Sequence, residues 1–372
     1  MTTRRDFLKI SAGTVGALGL GAVGLGSNPT PIPPAAKPLT LLFLGGTGFI
    51  GPHQVRYALA RGHKVTVFNR GRNSGLFGDS VEELVGNRDS KIDDGLEPLM
   101  GDRTWDAVID NSGYVPRHVL DSAELLKGRV GRYLYISTVA VYDFDKGPVF
   151  PEDGPLAAAP EPATEEVTWE SYGPLKAECD RIVRQVLGED CTVVRPSYIV
   201  GPGDTTDRFT YWTDRIHRGG DVLAPSNPTE VIQWVDVRDL CPWVVDLVER
   251  DAGGIYNAAG PASEVTREGL MWGIRATTSA PVRFWWPDDA LLDELEISPP
   301  MLSTGSRDLT GDGSVVFANA ASIAAGLGYR PLADSVVGTL EWWRAQPTER
   351  RAEPRRWIPA EKEAAAIARL KG

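Results

Sequence analysis

The chain has 372 residues, 42% apolar and 24% charged, with 11 Trp; that is enough to bury one large domain or two unequal ones, and it excludes a disordered chain. Its 39 Lys and Arg stand against 50 Asp and Glu, a net charge of -11 that repels phosphate backbones and argues against a nucleic-acid partner. Three cysteines, Cys179, Cys191 and Cys241, lack CxxC or His spacing, so neither a metal site nor a disulfide framework is expected.

At the N-terminus, Arg4-Arg5-Asp6-Phe7-Leu8-Lys9 precede an uncharged segment rich in Gly and Ala, Ile10 to Leu25, and a proline-rich exit, SNPTPIPPAAKP. Paired arginines, a short weakly apolar stretch and that exit resemble a twin-arginine signal. Residues 1–36 are therefore set aside as signal and linker, and the protein is expected to leave the cytoplasm through the twin-arginine export machinery, for the periplasm or cell exterior. The apolar run falls short of the roughly 20 residues of a membrane span.

Leu39 to Leu44 is an apolar run suited to a strand buried on both faces, and Gly45-Gly46-Thr47-Gly48-Phe49-Ile50-Gly51 follows it directly. Pro52 sits where a first helical turn tolerates proline, and Val55, Ala58 and Leu59 share one helix face. In such a strand-turn-helix one glycine turns the chain, one lets backbone amides approach a pyrophosphate, and one lets the helix press on the sheet. The pyrophosphate then rests at the helix N-terminus, where free N–H groups and the dipole favour an anion. A second strand, Lys64 to Phe68, ends in Asn69-Arg70; with no carboxylate for the ribose hydroxyls and an arginine alongside, NADP is favoured over NAD.

Further strands are expected at Ala107 to Asp110, Tyr133 to Ser137 and Thr192 to Arg195, with helices at His118 to Leu126 and Lys176 to Leu187. The alternation predicts an α/β fold, a doubly wound parallel sheet of the Rossmann type, with ligand at the carboxyl ends of the strands. The expected division is a dinucleotide-binding domain at 37–195, a first part of a substrate lobe at 196–229, a return to the first domain at 230–260, and a second part of the lobe with the C-terminal helix at 261–372. The lobe is expected to be the smaller body.

Thr138 stands just beyond one strand, and Tyr172 and Lys176 lie four apart at the start of a helix, on one face. An ammonium near a phenol lowers the phenol's pKa, so a tyrosinate can take the proton of a substrate hydroxyl while hydride leaves the same carbon. The segments GGTGFIG (45–51), YISTVAVYD (135–143), YGPLK (172–176), RPSYIVGPGD (195–204), VDVRDL (235–240) and LGYRPLADSVVGTLEWW (327–343) together resemble the extended short-chain dehydrogenase/reductases of the NAD-dependent epimerase/dehydratase family. The resemblance implies Thr138, Tyr172 and Lys176 as the catalytic triad. It implies cofactor contacts at Gly45, Thr47, Gly48, Phe49, Ile50, Gly51, Asn69, Arg70, Ser112, Lys176 and Pro196.

Two departures narrow the chemistry. Family dehydratases carry acidic residues just after the triad hydroxyl, where this chain has Val139 and Ala140. Nucleotide-sugar members place an arginine before the last strand and helix, and the corresponding segment from Asp308 to Asn319 lacks one; Arg208, Arg215, Arg238 and Arg307 are the substitutes available for gripping a phosphate. Tyr211, Trp212, Trp285 and Trp286 offer faces for a flat substrate, although such aromatics more often pack a core. The expected function is an NAD(P)-dependent epimerase or dehydrogenase acting at a carbinol carbon, of a sugar above all, in a homodimer. The alternatives are a reductase of a non-sugar carbonyl and a non-catalytic binding member of the fold. An exported enzyme meets no cytoplasmic nicotinamide pool, so its cofactor is expected to be held tightly and restored within each cycle.

Overall fold

A computed structural model describes residues 32–161, 163–300 and 314–372. The twin-arginine segment and Arg307 lie outside the described residues. By packing the chain divides into two units.

The first unit takes the described residues up to Val141, together with Leu156–Arg195 and Cys241–Tyr256. It is built on a sheet of seven strands: β1 (Thr40–Leu44), β2 (Lys64–Asn69), β3 (Glu82–Val85), β4 (Trp105–Asp110), β5 (Val130–Ile136), β6 (Cys191–Pro196) and β7 (Gly254–Ala258). Their order is β7-β6-β5-β4-β1-β2-β3, and β1 pairs in parallel with both β2 and β4. This is the expected doubly wound α/β arrangement, whose winding reverses between β1 and β4; in such sheets a ligand sits at the carboxyl ends flanking the reversal. Leu41 to Leu44 are fully buried, which explains why β1 is apolar throughout and does not alternate. Helix α1 (Gly51–Ala60) buries Val55 and Ala58, and helix α2 (Pro116–Leu126) buries Val119, Ala123 and Leu126. Each buried Val or Leu among them contributes about 1.5–3 kcal/mol relative to exposure, and each Ala less.

Helix α3 (Trp169–Leu187) starts seven residues before Lys176, where the helical pattern is first read in the sequence. A capping box made by Thr168 and Ser171 closes its first turn, with each side chain bonded to the other residue's backbone N–H. Pro174 lies inside the helix, close to its beginning. Cys179, Cys191 and Cys241 are buried free thiols.

The second unit comprises Tyr142–Pro155, Pro196–Leu240 and the described part of Asn257–Gly372. Tyr198–Val200 pairs in parallel with Val231–Asp236, which pairs antiparallel with Gly260–Thr266. A core of Phe209, Trp212, Ile216, Leu270, Ile274 and Val336 fills it. Tyr211 and Trp212 are 1% exposed and belong to this core, and Trp285 and Trp286 pack against it half-buried; these aromatics hold the unit together. Among the described residues no helix is long and apolar enough to cross a membrane.

Candidate active site

The glycine turn after β1 has the geometry its composition predicts. Gly45 adopts φ +86°, a conformation open to glycine, and its N–H bonds the Phe68 carbonyl at 3.0 Å. A Cβ on Gly51 would come within 2.4 Å of the Gly46 backbone, so the helix start and the turn touch at van der Waals limits. A Cβ on Gly48 would meet nothing within 4 Å, and this residue is exposed. Ile50, the residue before helix α1, gives it no side-chain cap, and its first turn holds no acidic residue. Uncapped amides, a positive helix end and open space above Gly48 fit the pyrophosphate of a dinucleotide. Thr47, Phe49 and Ile50 line this turn half-buried.

Asn69 and Arg70 end up in different roles. The Asn69 amide donates to Glu83 at 2.8 Å and its oxygen accepts from Gly71 N at 2.6 Å, so the side chain is spent on shaping the turn. Arg70 is exposed, as is Arg72 two residues on.

Facing Gly45 across the sheet reversal is Ser112, whose Cβ would lie 2.7 Å from a Cβ on Gly45. Ser112 is held from below by a buried ionic network: Arg88 makes a bidentate pair with Asp110 at 2.7 Å through each nitrogen, and also donates to the Ser112 hydroxyl at 3.0 Å. Asp110 further accepts from Tyr133 Oη at 2.7 Å and from Ser112 N at 3.0 Å. Sequence reading missed this network, because nothing local marks Arg88 as the partner of a strand residue 22 positions away.

Lys176 is 2% exposed and donates from Nζ to the carbonyls of Gly113 at 2.7 Å and Ile136 at 2.8 Å. Burial lowers its ammonium pKa to about 8, against the opposing pull of Cys179, Asp110 and Asp180. Tyr172, one turn earlier on α3, is half-buried, with its ring 6.3 Å from that of Tyr114. Thr138 is half-buried at the end of β5, and its Oγ1 accepts from Ala140 N at 3.2 Å. The Thr138 turn and the start of α3 are pressed together: a Cβ on Gly173 would stand 2.4 Å from the Ala140 carbonyl oxygen. Thus Thr138, Tyr172, Lys176, Ser112 and the glycine turn all belong to the first unit, at the carboxyl ends of β1, β4 and β5. Pro196 ends β6 and is the first residue of the second unit.

Gly173→Ala is expected to destabilise the protein by about 2 kcal/mol, because a backbone oxygen cannot yield as a side chain would. Alanine's helix-propensity gain of about 1 kcal/mol works in the opposite direction and is outweighed. Urea unfolding measures the difference; a variant as stable as the parent would show that the helix and the turn are free to separate.

Of the arginines considered for gripping a phosphate, Arg215 is bound to Glu363 at 2.8 Å and to the carbonyls of Gly219 and Asp221. Arg238 is bound to Asp236 at 2.8 Å and to the Asp334 carbonyl at 2.9 Å. Arg208 stacks 4.3 Å over Tyr198 and donates to Thr206 Oγ1 at 3.0 Å, and it forms no ion pair among the described residues.

A glycine-turn cradle beside a buried lysine one helical turn from a tyrosine defines a dinucleotide-binding α/β protein of the short-chain dehydrogenase type. Residues 41–259 match the NAD dependent epimerase/dehydratase family, and the chain belongs to it. It is 26% identical over 249 residues to the chloroplast stem-loop binding protein of 41 kDa b of Arabidopsis thaliana, covering 63% of this chain and 62% of that relative's length. Among solved structures it is similar to the Bordetella bronchiseptica enzyme WbmG in complex with NAD and UDP, at 15% identity and a TM-score of 0.61 over 87% of this chain and 99% of the other. It is also similar to UDP-glucuronic acid 4-epimerase from Bacillus cereus in complex with NAD, at 14% identity and a TM-score of 0.58 over 82% and 96%.

Proposed function

We propose that this protein is an NAD(P)-dependent enzyme that oxidises and re-reduces a carbinol carbon, an epimerase-like reaction on a sugar or sugar derivative, with Thr138, Tyr172 and Lys176 as its working groups. The observation that carries the reading is the buried Lys176 ammonium, fixed by two carbonyls one turn from Tyr172. Its charge favours the phenolate form of Tyr172. That phenolate takes the proton from the substrate hydroxyl, and Thr138 offers a hydrogen bond to the same oxygen. A nicotinamide held here would supply the chemistry of hydride removal from the carbinol carbon and its return to the opposite face of the ketone. Tyr172 then gives its proton back to the oxygen, so the cycle closes without net redox change.

The cofactor would be held by Gly45, Thr47, Gly48, Phe49, Ile50, Gly51, Ser112, Lys176 and Pro196. With Asn69 spent on its own turn and Arg70 and Arg72 exposed beside it, a 2′-phosphate has cations to meet and ribose hydroxyls have no carboxylate from position 69, which favours NADP over NAD. Val139 and Ala140 supply no acid for dehydration. A closed redox cycle suits a protein exported with its cofactor already loaded. A second reading, recognition of a nucleic-acid stem-loop, is suggested by the name of the plant relative and is opposed by the net charge of -11.

Purified protein is expected to release about one equivalent of NADP on denaturation. Chromatography and mass spectrometry of the released nucleotide check this. Release of NAD alone would reverse the assignment to Arg70, and protein free of any nucleotide would count against a cofactor held through the cycle.

A further inference from the structure

The Lys176 ammonium lies between two aromatic rings as well as two carbonyls. The ring centroid of Tyr135 is 4.2 Å from Nζ, and that of Tyr114 is 5.2 Å away. Tyr135 is fully buried and its hydroxyl donates to the Gly113 carbonyl, the same oxygen that accepts from Lys176, so this wall is fixed by the core. Tyr114 differs. It is half-buried, follows Gly113 directly, packs with Tyr172 against Val115, Val167 and Leu175, and its hydroxyl has no hydrogen-bond partner among the described residues. Burial and the Asp110 carboxylate raise its phenol pKa, so Tyr114 remains neutral where Lys176 titrates and only its ring faces the ammonium.

We propose that Tyr114 is a positioning residue whose ring closes the water side of the Lys176 ammonium and thereby sets the proton affinity of that lysine. The inference rests on the reading of Lys176 as the partner of Tyr172, and it adds a residue that the family motif does not contain. Two effects of the ring oppose each other. Its face attracts the cation and favours the charged form, while its bulk excludes the water that would stabilise that form better. At 5.2 Å the Tyr114 ring is the more distant of the two, so its pull on the cation is the weaker effect, exclusion of water wins, and removal of the ring should raise the proton affinity. The other groups around Nζ stay in place in such a variant: Tyr135 on β5, Asp110 at the end of β4, Cys179 and Asp180 on α3, and Arg88 after β3.

The test is a direct titration of Lys176 in the full-length protein, with lysines carrying 13C at Cε and the Lys176 signal identified by its loss in Lys176→Arg. The parent midpoint is expected at about 8. Tyr114→Phe keeps the ring and should leave it in place. Tyr114→Ala should raise it by about one pH unit, as rehydration of a buried amine does. Tyr114→Gln, nearer in size, should also raise it and serves if the alanine variant fails to fold. An unmoved midpoint in a folded Ala or Gln variant would overturn the inference, as would Tyr114→Phe shifting as far as they do. Because this titration needs neither substrate nor turnover, it separates the two readings: a fully active Tyr172→Phe would end the catalytic assignment while leaving the Tyr114 result standing.

Discussion

Tyr172→Phe is expected to lower turnover by about 10²–10⁴-fold while leaving nucleotide release, fold and substrate affinity close to those of the parent. The change removes one oxygen from a half-buried ring whose packing against Val115, Val167 and Leu175 does not depend on it. Phenylalanine keeps that packing and removes the phenol proposed to exchange a proton with the substrate. The measurement is the interconversion of free and UDP-linked sugars without added nicotinamide, followed by chromatography, with released nucleotide quantified in parallel. A loss in kcat with an unchanged KM would identify an interaction made in the transition state alone. Equal turnover in parent and variant would sink the proton-transfer role. A parent inactive on sugars yet active on non-sugar alcohols in a Tyr172-dependent way would move the substrate class and keep the chemistry. Retained RNA affinity in Tyr172→Phe, with no turnover in either protein, would favour the stem-loop reading.

Much of the first unit was legible because its signals are local. The continuous apolar run at Leu41 to Leu44 is a doubly covered strand, and the glycine turn that follows needs glycine at Gly45 for its φ and at Gly51 for its close approach to Gly46. The Tyr172 and Lys176 spacing is equally local, since four residues on a helix fix a shared face before any tertiary contact forms. What the sequence concealed depends on pairing at a distance. Asp110 reads as the polar end of a strand, yet it is fully buried because Arg88, in a loop after β3, reaches it. The start of α3 was hidden for another reason: Pro174 looks like a helix breaker, yet it lies inside a helix whose first turn Thr168 and Ser171 cap. Among the arginines, only the fold separates those bound to carboxylates, Arg215 and Arg238, from Arg208.

Arg88→Met is expected to cost about 3–5 kcal/mol of folding stability, the largest loss that a single substitution at this site should produce. Asp110 is fully buried; burial alone would raise its carboxyl pKa, but the Arg88 guanidinium, with Tyr133 and Ser112 N also donating, holds it below the usual carboxylate range. Methionine fills the volume of the stem and leaves the carboxylate in a low-dielectric site with its counter-charge gone. Removing both charges, as in Arg88→Met with Asp110→Leu, should recover part of the loss, since the lone buried ion is then gone as well. Urea unfolding of the parent, Arg88→Met, Asp110→Leu and the double variant measures the coupling; strictly additive losses would show that the pair does not act as a unit. The sign with pH follows from the depressed carboxyl. A carboxylate held below its unfolded value contributes its full stability above the unfolded pKa of about 3.9, and that contribution disappears as pH falls through the folded value. The parent should therefore lose stability on acidification more steeply than the uncharged double variant. The site should respond too, because Arg88 and Asp110 together hold Ser112, and Ser112 is the side chain against which Gly45 turns. Nucleotide retention should thus fall in Arg88→Met even at temperatures well below its melting point. If retention stayed at the parent level while stability dropped, the network would support the fold without shaping the cofactor turn.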